Sequence, residues 1–147
     1  MTQYLLFDAG GLDLAAPSSL VKAIHEDLNI QAVAGTSHWF RGLAVAHGKL
    51  LPVTDMGAFA GRRSSSGRTL ELDPSASIAG LQVDNIVGLS DEEADNVPLS
   101  DTENDALSAG KLTFSERAIV NKGRNHRVLD IGSLVQSPEF LNITEQP

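Results

Sequence analysis

The sequence predicts an all-β fold in which short strands alternate with tight turns and a few helical turns. Short apolar runs recur at intervals of roughly ten residues, which is the strand spacing of β-sandwiches and small barrels. Turns that contain glycine separate most of these runs. Helical spacing of apolar residues is weak where it occurs, so strands rather than helices are expected to build the core.

A hairpin is predicted almost at the first residue, because apolar residues 4–7 and 12–15 flank a Gly-Gly turn. A weak helical spacing over residues 20–28 follows. It predicts a short helical turn, which Ser18 or Ser19 can cap.

The most specific local pattern lies in residues 35–61, which contain the only tryptophan, Trp39. A lone tryptophan between glycine turns is expected to anchor the core. Two apolar runs, 43–46 and 50–53, predict two strands joined by a tight turn at Gly48. Glycine can supply the positive φ that such a turn needs without steric cost.

The second of these strands contains Pro52, which cannot donate a hydrogen bond to a neighbouring strand. It is therefore predicted to be an edge strand, bent or bulged at Pro52. Asp55 then stands where an N-cap would begin a helical turn at residues 56–60, and Gly61 would end that turn.

Further strands are predicted downstream, and the last element is a helical piece at residues 133–136. The predicted strands are a half-buried strand at 69–72, one or two strands at 78–89 with a kink at Asp84-Asn85, and short strands at 112–114, 118–120 and 127–131.

Two polar segments connect these elements. Residues 62–68 are predicted to be a hairpin connection, with a contact to phosphate or to a phosphoprotein as the alternative. The acidic residues 90–105 predict a solvated, mobile loop, with docking onto a basic partner as the alternative. A calcium loop is excluded there, because Ala106 and Leu112 stand where such a loop needs glycine and glutamate.

Composition limits the function classes. The 147 residues carry 11 basic and 19 acidic side chains, a net charge of −8, which argues against nucleic acid and anionic membrane as partners. Without cysteine, disulfides and thiolate chemistry are excluded. No signal peptide and no apolar run of membrane-spanning length is found. The expectation is a single cytoplasmic domain over residues 1–147, with no direct membrane insertion.

Catalytic motifs are absent from the sequence. The four histidines, His25, His38, His47 and His126, show no helical pairing that would indicate a metal site. Ser37 precedes His38 directly, and neighbours in a strand point in opposite directions, so the two do not form a nucleophile–base pair. Phosphate-binding and dinucleotide-binding glycine motifs are also missing. We therefore expect no enzymatic activity, no cofactor and no metal.

Two blocks of the sequence resemble the CheW family of chemotaxis coupling proteins. Residues 39–55 resemble its W-x-x-G and R-G-x-x-x-P-V-x-D core, and residues 79–89 resemble its G-x-x-V-D-x-V block. The opening hairpin and residues 127–135 fall where the family has its first and last elements. Residues 49–61 are especially similar to the PilI branch, which serves twitching motility and type IV pili.

The resemblance implies a CheW-like, all-β fold of two small five-stranded β-barrel subdomains packed through a shared apolar layer. It also implies a non-catalytic adaptor at membrane-associated receptor arrays. One face would bind the regulatory domain of a CheA-type histidine kinase. A groove between the barrels would bind the cytoplasmic tip of a methyl-accepting chemoreceptor.

One position departs from the family. His47 stands where the family usually has arginine, and Ala23 falls where many members have a glutamate that pairs with it. Both halves of an ion pair are then expected to be missing together, which avoids leaving one buried charge without its partner. His47 would be either an exposed turn residue or part of a remodelled partner interface.

The candidate partner-binding residues for kinase or receptor are Val21, Ala23, Ile24, Gly42, His47, Val83, Ile86 and Val87. Alternation is expected to aim Val83 and Val87 in one direction and Ile86 in the other, within a small exposed apolar patch. The alternatives to a receptor–kinase adaptor are a CheW-like interaction module that lacks the receptor bridge and a small ligand-binding or enzymatic β-barrel.

Overall fold

A computed structural model describes residues 2–109, 112 and 114–144 of the chain. Its strands are, in chain order, β1 (Tyr4–Ala9), β2 (Leu12–Pro17), β3 (Val21–His25), β4 (Phe40–Ala46), β5 (Lys49–Asp55), β6 (Thr69–Leu72), β7 (Gly80–Gln82), β8 (Asn85–Ser90), β9 (Asp95–Asn96), β10 (Phe114–Asn121) and β11 (Arg124–Leu129). The helices are α1 (Met56–Phe59), α2 (Asp101–Ala109), α3 (Ile131–Gln136) and α4 (Pro138–Leu141), and a 3-10 turn spans Ser18–Leu20.

The strands form two sheets, which confirms the predicted all-β class. The first sheet has the order β8-β1-β2-β11-β10-β9, and the second has the order β3-β6-β7-β5-β4. Each sheet contains one parallel pair, β11 with β2 and β5 with β7, among antiparallel neighbours. The second sheet has the five predicted strands, while the two-residue β9 adds a sixth to the first.

One apolar core lies between the two sheets. Apolar side chains of both sheets and of the helices belong to a single buried cluster. It includes Leu5, Phe7, Leu12 and Leu14 from the first sheet, Phe40, Leu70, Leu72 and Leu81 from the second, and Met56, Phe59, Ile131, Leu134 and Phe140 from the helices. The shared apolar layer expected from the family resemblance is therefore present.

The predicted central hairpin is confirmed as β4 and β5. Its two turn residues, His47 and Gly48, have φ of 51° and 72°, the positive values that a tight hairpin turn of this length requires. The edge position predicted for Pro52 is wrong, because β5 lies between β4 and β7. The ladder with β7 begins only at Val53, so Pro52 precedes the ladder in which its missing N–H would matter.

Asp55 caps α1 as predicted and also holds the loop that follows it. Its side chain accepts hydrogen bonds from the backbone N–H of Ala58 at 3.0 Å and of Ser65 at 2.8 Å. Arg41 donates to its other oxygen at 2.6 Å. Arg41 and Asp55 therefore fix the loop 62–68 against the start of α1.

Two predictions in the second sheet are corrected. The helical turn predicted over residues 20–28 is strand β3, which pairs with β6, and only the 3-10 turn before it is helical. Strand β6 was expected to be half buried, but all four residues of Thr69–Leu72 are buried. The strand lies between β3 and β7, so both of its edges are paired, and its Leu70 and Leu72 pack into the principal core.

The acidic segment is not a mobile loop throughout, because β9 and the start of α2 lie in it. Its Glu103 accepts a hydrogen bond at 2.6 Å from the Nε of Arg127, whose side chain is 1% exposed. Arg127 also donates to the carbonyl oxygens of Val97 and Pro98. The buried arginine thus attaches the segment to β11, a contact that no local pattern in the sequence indicates.

The C-terminal elements are shifted relative to the prediction. The strand expected at 118–120 is part of β10, whereas only the last residue of the strand expected at 112–114 belongs to β10, and residue 113 lies outside the described residues. The strand expected at 127–131 begins earlier and ends at Leu129. Asp130 then caps α3 by accepting from the backbone N–H of Ser133, so the predicted helical piece begins before Ser133.

Candidate partner-binding groove

An open apolar groove lies where the two sheets meet. It has a volume of about 300 Å³, and its lining comes from β3 of the second sheet and from β1 and β8 of the first. Ile24 is 42% exposed and Leu89 is 61% exposed. Large apolar side chains with this much exposure are available for contact with a partner. The residues that line the groove are Leu5, Ser18, Val21, Lys22, Ala23, Ile24 and Leu89.

Three of the predicted partner-binding residues line this groove together. They are Val21, Ala23 and Ile24, all on β3. The sequence predicts that these residues lie together on a helical turn, whereas in the structure they lie together on a strand. The strand instead presents them beside Leu89, a residue that the sequence did not single out.

His47 and Ala23 do not stand opposite each other as a deleted ion pair. Ala23 pairs in register with Glu71 on β6, and the Nε2 of His47 lies 3.1 Å from the Oε1 of Glu71. The expectation that both halves of the pair are missing is wrong. A carboxylate for position 47 is present, and it comes from the strand beside Ala23.

His25 joins the same carboxylate. Its Nε2 lies 2.8 Å from the Oε1 of Glu71, and Lys22 lies 3.9 Å from the other oxygen. The Glu71 side chain is 8% exposed, whereas His25 is 22% and His47 is 50% exposed. A buried carboxylate is therefore surrounded by three groups that can carry positive charge. Sequence reasoning missed it, because His25 and Glu71 belong to different strands and form no motif.

The predicted patch in the second motif is only partly exposed. Val83 is fully buried in the core, so its side chain does not contribute to a surface. Ile86 packs partly against the same core, and Val87 is 45% exposed. Val83 and Val87 therefore do not face the same environment, because the chain bends at Asp84 and the pairing of β8 with β1 shifts register between Ile86 and Gly88.

Gly42 has a structural role at its position in β4. A Cβ built there would lie 2.0 Å from the carbonyl oxygen of Gln31, and its φ is 137°. The backbone of residue 31 pairs with Leu43 in an isolated bridge. Only glycine permits this close approach, and the residue is buried rather than presented to a partner.

A second exposed apolar surface lies on the central hairpin. Val45 and Leu50 are cross-strand neighbours, 65% and 63% exposed. Leu50 and Ile78, which is 54% exposed, line the same cavity of about 120 Å³. We call Val45, Leu50 and Ile78 the hairpin patch. It is formed by the second sheet and the loop before β7, and Lys22 lines both its cavity and the groove.

Comparison with known proteins agrees with the two-sheet architecture. The crystal structure of the scaffolding protein TtCheW from Thermoanaerobacter tengcongensis matches with a TM-score of 0.72 at 17% sequence identity, over 94% of this chain and 94% of that chain. No curated protein sequence matches this chain. Within the described residues, no helix is long and apolar enough to cross a membrane. A family model of the CheW-like domain matches residues 3–139, and the chain therefore belongs to the CheW-like domain family.

Proposed function

We propose that this protein is a non-catalytic chemosensory adaptor that couples a chemoreceptor to a CheA-type histidine kinase in cytoplasmic receptor arrays. An adaptor of this kind needs two surfaces that bind different partners at the same time. The observation that carries the proposal is the apolar groove at the junction of the two sheets of a CheW-like fold.

The groove is proposed to receive the receptor tip. Val21, Ile24 and Leu89 provide an apolar lining, and Lys22 provides a charge at the same place. Modest apolar area with a charged rim is typical of interfaces that exchange partners. The predicted residue Ala23 lies on this lining and contributes little bulk, which leaves room for a partner side chain.

The hairpin patch is proposed to bind the regulatory domain of the kinase. Val45 and Leu50 are more exposed than Val87, and they are directly opposite each other on adjacent strands. A pair of this kind forms a continuous apolar surface. This assignment replaces Val83 and Ile86, whose side chains are buried or partly buried.

Three matched leucine variants test the assignment. Leu89→Asp alters the groove, and Leu50→Asp alters the hairpin patch. Leu141→Asp on α4 is the control. The three variants are matched because the leucine side chains are 61%, 63% and 63% exposed, in that order. Binding of each variant to the kinase regulatory domain and to a receptor cytoplasmic tip is measured by calorimetry. Leu89→Asp should weaken only receptor binding, and Leu50→Asp only kinase binding, each by at least about tenfold, or 1.4 kcal/mol.

The result can contradict the proposal at two levels. Wild-type protein that binds neither partner would overturn the adaptor function. Kinase binding that survives Leu50→Asp but is lost in Val87→Asp would move the kinase contact to β8. Receptor binding that survives Leu89→Asp and Ile24→Asp would overturn the role of the groove. An unchanged circular dichroism melt confirms that each variant is folded.

The alternative module without a receptor bridge depended on the missing ion pair. The contact of His47 with Glu71 at 3.1 Å removes that reason, and we therefore favour the complete adaptor. The motility output is either flagellar or pilus-based, and the similarity of residues 49–61 to the PilI branch favours pili. Swimming and twitching assays of a deletion strain distinguish the two.

A further inference from the structure

The cluster of His25, His47 and Glu71 lies beside the hairpin patch, since His47 and Glu71 line the same cavity as Leu50 and Ile78, but the adaptor function does not require its geometry. One ligand atom from each residue lies within 4.8 Å of the others. The two imidazoles are 6.0 Å apart between ring centroids, with an angle of 61° between their planes. They are therefore not stacked against each other, and both Nε2 atoms are directed to the same carboxylate oxygen.

The fold brings these residues together from distant parts of the second sheet. His25 ends β3, His47 follows β4, and these strands form the two edges of the sheet. In a flat sheet, edges four strand spacings apart would be separated by about 19 Å. The short separation of the two rings requires the sheet to curl until its edges meet. Glu71 on β6 lies at the point of closure.

The distances from Glu71 to the two imidazoles are slightly shorter than the spacing of ligand atoms around a bound transition-metal ion. Ligand atoms of a tetrahedral zinc site, each about 2.0–2.1 Å from the ion, are about 3.3 Å apart. The Oε1 of Glu71 lies 2.8 Å from one Nε2 and 3.1 Å from the other. Without an ion, each Nε2 must carry a hydrogen to donate to that oxygen. A neutral imidazole can supply that hydrogen, and an ion between the three atoms would replace both hydrogen bonds with bonds to Nε2 atoms that carry no hydrogen.

We propose that His25, His47 and Glu71 form a binding site for a divalent transition-metal ion of the zinc class. Two imidazoles and one carboxylate suit zinc and its neighbours rather than magnesium or calcium, which prefer oxygen ligands alone. The exposed His47 leaves a fourth position accessible to water. The bound ion would link the two edges of the second sheet.

The positive charges of two lysines repel a bound cation and therefore limit the affinity of the site. Lys22 lies 3.9 Å from the Oε2 of Glu71, and Lys49 lines the same cavity as His47 and Glu71. The Lys22 side chain is 40% exposed, so its ammonium group can turn toward water when the ion binds. Lys22 also leaves Oε1, the oxygen that both imidazoles contact, available as the ligand.

The test uses the full chain without a polyhistidine tag, freed of metal by a chelator. Zinc binding is measured by calorimetry, and cobalt binding by the visible absorption of a tetrahedral site. The wild type should bind one ion per chain. His25→Ala and His47→Arg should each weaken zinc binding at least about 100-fold, beyond the loss typical of residues that only support a metal ligand.

His47→Arg is the decisive variant, because arginine can still form an ion pair with Glu71 but cannot bind the metal. The matched control is His38→Ala, which removes an exposed histidine outside the cluster and should change the affinity less than twofold. Saturating zinc should raise the melting temperature of the wild type and of His38→Ala, but not of His47→Arg.

Three outcomes overturn the metal site. The first is a wild type that binds no zinc in a saturable manner, which leaves only a hydrogen-bonded cluster. The second is His47→Arg that binds zinc as tightly as the wild type. The third is a loss of zinc affinity in His38→Ala as large as the loss in His47→Arg. None of these outcomes bears on kinase or receptor binding, which is measured separately.

Discussion

At the scale of single residues, Trp39 is the clearest link between sequence and stability. Its side chain is 1% exposed, and its ring meets that of Phe59 edge to face at 4.9 Å between centroids. Phe59 meets Phe140 in the same way at 5.6 Å. The three rings connect the segment before β4 with α1 and α4, so the tryptophan joins elements that are far apart in the chain.

Replacement of Trp39 by alanine should lower the free energy of unfolding by about 3–5 kcal/mol, the usual cost of removing a large core side chain. Urea unfolding followed by circular dichroism measures the loss, because the variant has no tryptophan fluorescence. Trp39→Phe keeps an aromatic ring and should cost less. A loss under about 1 kcal/mol in Trp39→Ala would contradict the anchoring role.

At the scale of elements, α2 and the segment before it are held by the pair of Glu103 and Arg127. Burial alone raises the pKa of the Glu103 carboxyl, but hydrogen bonds from Arg127 and from the backbone of Ser100 outweigh it. The pKa therefore lies below its usual value of 4.5. The folded state holds this carboxylate in its charged form more strongly than the unfolded state does.

The sign of the pH effect follows from that direction. Above the unfolded pKa the pair contributes its full stability, and the contribution is lost as pH falls from about 4.5 through the lower folded value. Glu103→Gln should cost about 1–3 kcal/mol at pH 7, and the difference from the wild type should shrink in acid. Urea melts between pH 7 and pH 3.5 measure it.

The exposed Glu93 of the same acidic segment supplies the control for this experiment. Glu93→Gln removes a carboxylate from solvent and should change the free energy of unfolding by less than about 0.5 kcal/mol. A difference between Glu103→Gln and the wild type that stayed constant across the pH range would show that the charge of Glu103 is not what stabilises α2.

At the scale of the whole molecule, the two sheets share their principal core, and each sheet has a smaller buried cluster of its own. The principal buried cluster contains side chains from both sheets and from each of the four helices in the described part of the chain, for example Phe7, Leu70, Phe59, Ala106 and Leu134. Neither sheet can expose its inner face without also uncovering the other. We therefore expect residues 1–147 to behave as one cooperative domain.

Thermal and urea unfolding should accordingly show a single transition. The fluorescence of Trp39 reports on the region around α1, whereas far-ultraviolet circular dichroism reports on all strands, and the two curves should coincide. Refolding after dilution from urea serves as the control for reversibility. Two separated midpoints would instead show that the sheets are independent subdomains that merely pack together.

The sequence by itself determined the strand-rich class, the hairpins at residues 4–15 and 43–53, and the burial of Trp39. These features depend on local chemistry. A Gly-Gly turn, the glycine after His47 and the cap at Asp55 act within a few residues of themselves, so a single sequence is sufficient to recognise them.

Only the tertiary structure decided which residues meet. Pro52 is accommodated inside a sheet because its neighbour strand begins one residue later, and Val21 to Ile24 form a strand because β6 is there to pair with them. Glu71 reaches His25 and His47 because the sheet curls on itself. Pairings of this kind depend on how elements far apart in the chain pack against each other. The spacing of residues along one sequence carries no information about that packing.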